Sequence, residues 1–200
     1  MIIEISAKTV KELRDKTGAG MMNCKKALEN SKGNFNEAIE ALRIKGEIIA
    51  DKKADRTANE GLIECYIHTG SKLGILLEVN CETDFVSRKP EFKEFVKNIG
   101  MQIASSPDIE VISIDDISRE MKEKAWEFES LKEDLANKSA EIKTKIIEGR
   151  VSKSLKSSVL LEQEYIRDSS KTVNNYLKEQ ISYFGENIKI ARYTKYSLGN

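Results

Sequence analysis

The sequence is poor in the residues on which several classes of site depend. Its 200 residues include two prolines, one tryptophan, three cysteines and a single histidine, His68. The cysteines are Cys24, Cys65 and Cys81, an odd number at wide spacing without a C-x-x-C pair, so we expect neither a disulfide framework nor a structural zinc site. Apolar runs such as residues 74–77 are far shorter than the roughly 20 residues that a helix needs to cross a bilayer, which predicts no membrane span.

The chain also lacks net charge. Its 33 basic residues are balanced by 33 acidic ones, with the signs interspersed. It therefore has no electropositive field of the kind that direct binding to nucleic acid or to an anionic membrane usually requires, and we expect a protein or a small molecule as its partner. The first residues show no basic n-region, long apolar h-region or Arg/Ser-rich transit stretch, so we expect no targeting segment.

The composition, 40% hydrophobic and 33% charged, is typical of a globular protein with at most two domains. Residues 1–55 are predicted to form a small three-helix docking domain. Thr9 and Glu12 have the spacing of a capping box at the start of a first helix, which should end near Gly18. Residues 21–30 can form a second helix. The third is predicted from apolar residues at i, i+3, i+4 and i+7, namely Phe35, Ala38, Ile39 and Leu42.

A second domain, residues 56–200, is predicted to be an α+β core. The charged residues 51–56 suit a linker or a helix end. From Gly61 onward, apolar and polar residues alternate, which favours an antiparallel hairpin over residues 61–80 with one buried face. The alternating apolar residues are Ile63, Cys65 and Ile67 in the first strand and Leu73, Ile75, Leu77 and Val79 in the second.

The rest of the core is predicted to be helical apart from one strand. A helix should open at Pro90 and cover the sheet with Phe92, Phe95, Val96 and Ile99. Residues 118–161 favour helices whose breaks the sequence does not define. A helix over residues 172–184 should end at Gly185. A final strand over residues 188–198 is expected to pair with the hairpin and complete a three-stranded antiparallel sheet.

No constellation of catalytic residues is found, and we predict no enzyme, no metal site and no cofactor. Gly18 to Gly20 follow a helix, whereas a dinucleotide-binding loop follows a strand, and no phosphate-loop, nucleophile-elbow or zinc-hydrolase motif occurs. His68 is expected to be an exposed imidazole beside a turn. Cys81 precedes Glu82 and Asp84, an acidic setting that raises a thiol pKa and favours an inert cysteine.

Apolar residues at places that should be exposed are more informative. Phe85 and Val86 follow the second strand and precede Pro90. From the residues alone, the favoured interpretation is that both side chains fold inward, or that Thr83 or Asp84 caps the next helix. Met21 and Met22 cannot easily both face inward from a turn-to-helix junction, and an exposed methionine indicates a protein-binding surface.

Three segments of the sequence carry a resemblance to a known family. The first, near the N-terminus, comprises Lys11 to Arg14, Thr17 to Met22 and Cys24 to Leu28. The second is Leu77 to Val86, and the third is Gly185 to Ile188. Together they are similar to the signatures of the elongation factor Ts family, over nearly the whole chain. The resemblance implies a ubiquitin-associated-like three-helix N-terminal domain and an α+β core.

The resemblance also implies a function and a site. Members of the family are guanine-nucleotide exchange factors that act during translation elongation and are not enzymes. They bind elongation factor Tu in its GDP-bound and nucleotide-free forms. Thr83, Asp84, Phe85 and Val86 would then dislodge Mg²⁺ and GDP from the partner, with Asp84 and Phe85 entering its nucleotide domain, so Phe85 is expected to face outward. Met21, Met22 and Lys25 would help to dock the N-terminal domain on the same partner.

Other features of the resemblance are less definite. Asn23 stands where the family usually has an acidic residue, from which we expect a modest effect. The length indicates a short form, in which contacts of larger members are either missing or supplied by a second copy, so a homodimer stays open. Apart from the resemblance, the abundance of Lys, Ile, Asn and Ser and the expected lack of a targeting segment suit either a bacterial cytoplasm or a plastid stroma.

Two other interpretations compete with this one. In the first, the chain is a helical adaptor or dimerisation module with a different protein partner, and Phe85 has no influence on nucleotide release. In the second, the chain is a small enzyme that uses Glu82, Asp84 or His68 as acid and base, which requires a pocket and a perturbed pKa at one of them.

Overall fold

The computed structural model describes residues 5–135 and 138–199, without the side chain of Glu133. The expectation about a targeting segment rests in part on residues 1–4, which lie outside the described residues. The helices are α1 (Ala7–Thr17), α2 (Met21–Asn30), α3 (Phe35–Asp51), α4 (Asp84–Ser87), α5 (Pro90–Ser105), α6 (Arg119–Ser130), α7 (Ala140–Ser157) and α8 (Val173–Phe184). The strands are β1 (Glu60–Ile67), β2 (Leu73–Cys81), β3 (Glu164–Tyr165), β4 (Asp168–Thr172) and β5 (Lys189–Ser197).

The main sheet has three antiparallel strands in the order β1-β2-β5. At the hairpin, the N–H of His68 donates to the carbonyl of Leu73 at 2.9 Å. At the other side of β2, the N–H of Leu198 donates to the carbonyl of Lys72 at 2.8 Å. The α+β class and the return of the last strand to the hairpin are therefore confirmed. No helix in the described part of the chain is long and apolar enough to cross a membrane.

The chain forms two compact units. The first consists of residues 1–64, 78–96 and 175–191, and the second of residues 65–77, 97–174 and 192–200. Each unit is thus built from three separate segments of the sequence. The predicted domain boundary between residues 55 and 56 stays a prediction.

In the first unit, α1, α2 and α3 form the expected three-helix bundle. The α1 start differs from the prediction, because Ser6 caps the helix and accepts a hydrogen bond from the N–H of Thr9 at 3.1 Å. Thr9 is thus inside the helix, and a capping box that begins there is wrong. Gly18 ends α1 in a left-handed conformation, and the Asn34 side chain caps α3. The buried residues of the bundle are Val10, Leu13, Cys24, Ala27, Leu28, Ala38 and Leu42.

Helix α8 packs on two sides within the first unit. Its Phe184 and Tyr176 rings lie edge-on to Phe92 and Phe95 of α5, at centroid distances of 5.7 Å and 5.4 Å. Toward the bundle, a Cβ on Gly18 would lie 3.1 Å from the Tyr183 ring, so this glycine admits the ring. The three-helix bundle and α5 therefore share α8 as a common support.

The buried face of the hairpin was predicted correctly for β2 and wrongly for β1. Ile75, Leu77 and Val79 are buried, whereas the β1 residues Ile63, Cys65 and Ile67 are exposed. In the second unit, Tyr66 faces inward instead, because Gly100 of α5 has no side chain and a Cβ there would lie 2.9 Å from the Cβ of Tyr66. The outer face of the sheet consequently carries apolar side chains.

The second unit contains the helical region whose breaks the sequence left undefined. Helices α6 and α7 pack around Leu135, Ile147 and Val151, and Arg150 of α7 pairs with Asp134. The small sheet of β3 and β4 was not predicted, because β4 reads Asp168 to Thr172 and has no apolar alternation. Residues 136 and 137 of the predicted helical region lie outside the described residues.

Gly61 allows a close approach of the two hairpin strands. Its φ is +144°, and a Cβ there would lie 2.2 Å from the carbonyl oxygen of Val79. We therefore predict that Gly61→Ala lowers the free energy of unfolding by at least about 2 kcal/mol. Chemical denaturation followed by circular dichroism measures this change.

Gly149→Ala is the matched control for this prediction. Gly149 is exposed within α7, and a Cβ there would meet no atom within 4 Å. The same substitution should raise stability by about 0.5–1 kcal/mol, because glycine is a poor helix former. Equal effects of the two substitutions would contradict the close approach at Gly61.

Candidate functional site

The exposed turn after β2 holds the first group of predicted site residues, Thr83, Asp84, Phe85 and Val86, which we call the tip. Phe85 is 80% exposed, whereas its neighbour Val86 is 3% exposed. The short helix α4 separates the two side chains in this way, because successive residues of a helix point in different directions. The inward orientation favoured from the residues alone is right for Val86 and wrong for Phe85.

The turn that carries Phe85 also contains polar residues. The carboxylate of Asp84 pairs with the guanidinium of Arg88 at 2.8 Å, and both side chains are partly or largely exposed. The hydroxyl of Ser87 donates to the carbonyl of Asp84 at 3.0 Å, which helps to close the turn. The tip thus presents one large apolar ring beside an exposed ion pair, and Val86 attaches it to the core.

Thr83 occupies the N-cap position of α4, but its side chain makes no capping hydrogen bond to the helix. Its hydroxyl instead donates to the carboxylate of Glu186 at 2.6 Å. Sequence reasoning assigned no role to Glu186. The signals in the sequence that could have pointed to it are its place in the Gly185 to Ile188 signature and its position directly after Gly185, which ends α8 with a φ of +73°.

Cys81 leads into the tip and is buried. Burial raises the pKa of its thiol to about 11, with a further contribution from the Glu186 and Glu60 carboxylates. Its Sγ donates to the carbonyl of Thr83 at 3.1 Å. The predicted direction of the pKa shift is confirmed, but the carboxylates responsible are not the adjacent Glu82 and Asp84. A thiol with this pKa is protonated at neutral pH and is a poor nucleophile.

The residues proposed for the rival enzyme are absent from the lining of a cavity in the second unit. His68 is exposed and contacts the Tyr66 hydroxyl through Nδ1 at 3.2 Å. This shallow cavity has a volume of about 570 Å³. It is lined by Glu129, Lys132, Asp134, Arg150, Lys153, Ser154 and Ser157. Within residues 5–135 and 138–199, no group of three His, Cys, Asp or Glu residues could hold a metal ion.

The second group of predicted site residues lies on α2. Met21 and Met22, in its first turn, are 43% and 65% exposed. Lys25 follows one turn later, is also exposed, and lies 3.8 Å from Glu29. Asn23, the departure from the family pattern, accepts a hydrogen bond from Lys45 of α3 at 2.8 Å. Two adjacent methionines and a lysine are therefore all exposed in the first turns of α2.

Comparisons with known proteins cover the whole chain. A family model described as Elongation factor TS matches residues 2–200. The chain is 62% identical over 199 residues to "Elongation factor Ts, chloroplastic" of Phaeodactylum tricornutum, covering 100% of this chain and 98% of that protein.

Two further relatives extend the same result. A protein of the same name from Galdieria sulphuraria is 58% identical over 197 residues, with 98% of this chain and 99% of that protein covered. "Elongation factor Ts" of Synechococcus sp. strain RCC307 is 53% identical over 196 residues, covering 98% and 90%. The chain belongs to the elongation factor Ts family.

Proposed function

We propose that this chain is a guanine-nucleotide exchange factor that binds GDP-bound elongation factor Tu, dislodges Mg²⁺ and GDP, and leaves a nucleotide-free form for GTP to enter. Its family makes it a translation elongation factor. The observation that supports the exchange mechanism most directly is the exposure of Phe85 beside the buried Val86. A ring held outward by an anchored neighbour is suited to insertion into a partner.

Exchange of this kind is a difference between two affinities. If the chain binds nucleotide-free elongation factor Tu more tightly than the GDP-bound form, linkage requires GDP to bind the complex more weakly by the same factor. No bond is made or broken, so the chain needs no acid, base or nucleophile. This agrees with the inert Cys81 and the exposed His68.

Phe85 can supply a useful share of that difference. Full burial of a phenylalanine side chain contributes about 1.5 to 3 kcal/mol, equivalent to about ten- to a hundredfold in an equilibrium constant. The ring acts on exchange only if its pocket opens when Mg²⁺ and GDP leave, because a contact made equally in both states shifts nothing.

The other tip residues have different parts in this proposal. Asp84 presents a carboxylate that repels the GDP phosphates or competes for cations that hold them, and Arg88 orients that carboxylate. Val86 is buried, so it anchors the tip in the core and does not touch the partner. Thr83 fixes the start of the turn. Met21, Met22 and Lys25 of α2 dock the N-terminal bundle on the same partner.

The named relatives bear on the compartment. Proteins called chloroplastic elongation factor Ts are 62% and 58% identical to the chain, and a cyanobacterial relative is 53% identical. We infer a plastid stroma or a bacterial cytoplasm as the place of action.

The rival interpretation, an adaptor for another protein, differs in one respect that can be measured, because it assigns Phe85 no influence on nucleotide release.

Phe85→Ala should lower the maximal rate at which the chain releases a fluorescent GDP analogue from elongation factor Tu by about ten- to a hundredfold. The reason is that the variant loses the apolar contact made only in the nucleotide-free complex. Stopped-flow fluorescence with increasing concentrations of the chain gives the maximal rate and the half-saturating concentration separately.

Two control variants sharpen this measurement. Phe128→Ala removes another exposed phenylalanine, on α6, and should leave both parameters unchanged. Met22→Ala should raise the half-saturating concentration by about threefold to tenfold, with little change in the maximal rate, because it weakens docking alone. If wild type and Phe85→Ala release GDP equally fast, the chain is an exchange factor but the tip is not its active surface. If the wild type does not release GDP at all, the adaptor interpretation is favoured.

The outer face of the sheet supports a homodimer as part of the proposal. In the second unit, Ile67, Leu76 and Tyr196 are exposed on β1, β2 and β5. Large apolar side chains on a strand surface favour coverage by another surface, and a second copy of the chain would cover this face symmetrically. A second copy would also supply the contacts that a short form lacks.

Sedimentation equilibrium should give twice the 22.6 kDa mass of the chain. Ile67→Asp should raise the dimer dissociation constant by about tenfold or more, because it places an unpaired charge in the interface. Leu131→Asp, at another exposed leucine, should leave the dimer intact. A monomer at all concentrations, or equal effects of both variants, would contradict this arrangement.

A further inference from the structure

The carboxylate of Glu186 gathers three hydrogen bonds from the residues that lead into the tip. Its Oε2 accepts from the backbone N–H groups of Glu82 at 3.1 Å and Thr83 at 3.0 Å. Its Oε1 accepts from the Thr83 hydroxyl at 2.6 Å. Hydrogen bonds to an ionised carboxylate are the strong ones in proteins. The start of the tip is therefore held by a residue more than 100 positions away in the sequence.

The contact is reciprocal. The carboxylate of Glu82 accepts a hydrogen bond from the backbone N–H of Asn187 at 2.6 Å. Each of the two turns therefore supplies a carboxylate to the other turn's backbone, in the way that a capping box satisfies two donors at once. A rotation of either turn would break bonds at both.

Asn187 fixes the turn that carries Glu186. It is 2% exposed, and its Nδ2 donates to the carbonyls of Ala54 at 3.2 Å and Arg56 at 2.7 Å. These carbonyls belong to the segment that follows α3. Glu186 consequently projects from a turn that is attached to the chain between the N-terminal bundle and β1.

Apart from the Asp84–Arg88 ion pair and the Ser87 hydrogen bond to Asp84, the tip has few contacts of its own that hold its conformation. Helix α4 has four residues and no side-chain cap at its N-terminus. Helices much shorter than about 12 residues are not stable alone in water, and depend on contacts outside the helix. Val86 provides one such contact on the core side, and Glu186 provides the contacts at the N-terminal side. The direction of Phe85 depends on both.

We propose that Glu186 is a positioning residue for nucleotide exchange, which orients Phe85 without touching the partner. The proposal rests on the exchange function proposed above and names a residue to which that function had assigned no role. In this proposal the tip already has its binding conformation in the free protein, so little conformational entropy is lost when the partner binds.

The test compares Glu186→Ala, Glu186→Gln and, as a control, Glu120→Ala. Glu120 lies on α6, is exposed and pairs with Lys124 four residues later, so its removal changes the net charge equally without affecting the tip. Two quantities are measured for each purified full-length variant. One is hydrogen exchange of the Glu82 and Thr83 amides in the free protein, and the other is fluorescent GDP release from elongation factor Tu.

Glu186→Ala should speed exchange of the two amides by about tenfold or more, because both lose their acceptor. It should lower the maximal rate of GDP release by about tenfold while changing the half-saturating concentration less than about threefold, since docking through α2 is intact. Glu186→Gln retains one carbonyl oxygen as an acceptor and should restore part of both quantities. Glu120→Ala should match the wild type.

A double variant tests whether Glu186 acts through the ring. Glu186→Ala combined with Phe85→Ala should release GDP no more slowly than Phe85→Ala alone, because a ring that is absent cannot be misplaced. Fully additive losses would contradict the proposal. If Glu186→Ala does not fold, Thr83→Val carries the test, since it deletes one hydrogen bond to the carboxylate and should lower the maximal rate by about threefold.

Unchanged amide exchange in Glu186→Ala would overturn the positioning role, and so would a loss confined to the half-saturating concentration. The same measurements show separately whether the proposed exchange function is wrong. If the wild type does not release GDP but Glu186→Ala still speeds exchange of the two amides, the geometric role of Glu186 stands and the proposed function is wrong.

Discussion

The hydrogen bonds between the turn after α8 and the end of β2 are the contacts on which the arrangement of the site depends. Glu186 and Glu82 each accept backbone hydrogen bonds from the opposite turn, at distances of 2.6 Å to 3.1 Å. Asn187 extends the same network to the segment that follows α3. Because charge-assisted bonds are directional as well as strong, they fix orientation and not only proximity. A four-residue helix can then hold an exposed phenylalanine in one direction.

The fixed direction of Phe85 is the physical basis of the proposed exchange mechanism. An apolar ring that is exposed in the free protein contributes to binding only where the partner offers a cavity, and the contribution favours whichever nucleotide state has that cavity open. A fixed ring needs less ordering on binding than a mobile one, so more of the apolar contact remains as a difference between the two states.

Backbone preferences of single residues and short apolar patterns made much of the fold predictable from the sequence. Gly18, Pro90 and Gly185 mark helix ends through their own backbone preferences, and the alternation in β2 identified the buried face. Two features were missed because a distant residue decides the outcome. Tyr66 of β1 faces inward because Gly100 leaves room for it, and Glu186 reaches amides more than 100 residues away. For Phe85, the residues alone favoured burial, and only the family resemblance indicated the exposed orientation.

The measurement that tests the central claim most directly is the affinity of this chain for elongation factor Tu with and without GDP, determined by titration calorimetry at fixed Mg²⁺. The account predicts that the nucleotide-free form binds more tightly by about 5- to 150-fold, and that the chain weakens GDP binding by the same factor. Equal affinities for the two forms would contradict it, because a protein that does not distinguish them cannot shift the nucleotide equilibrium.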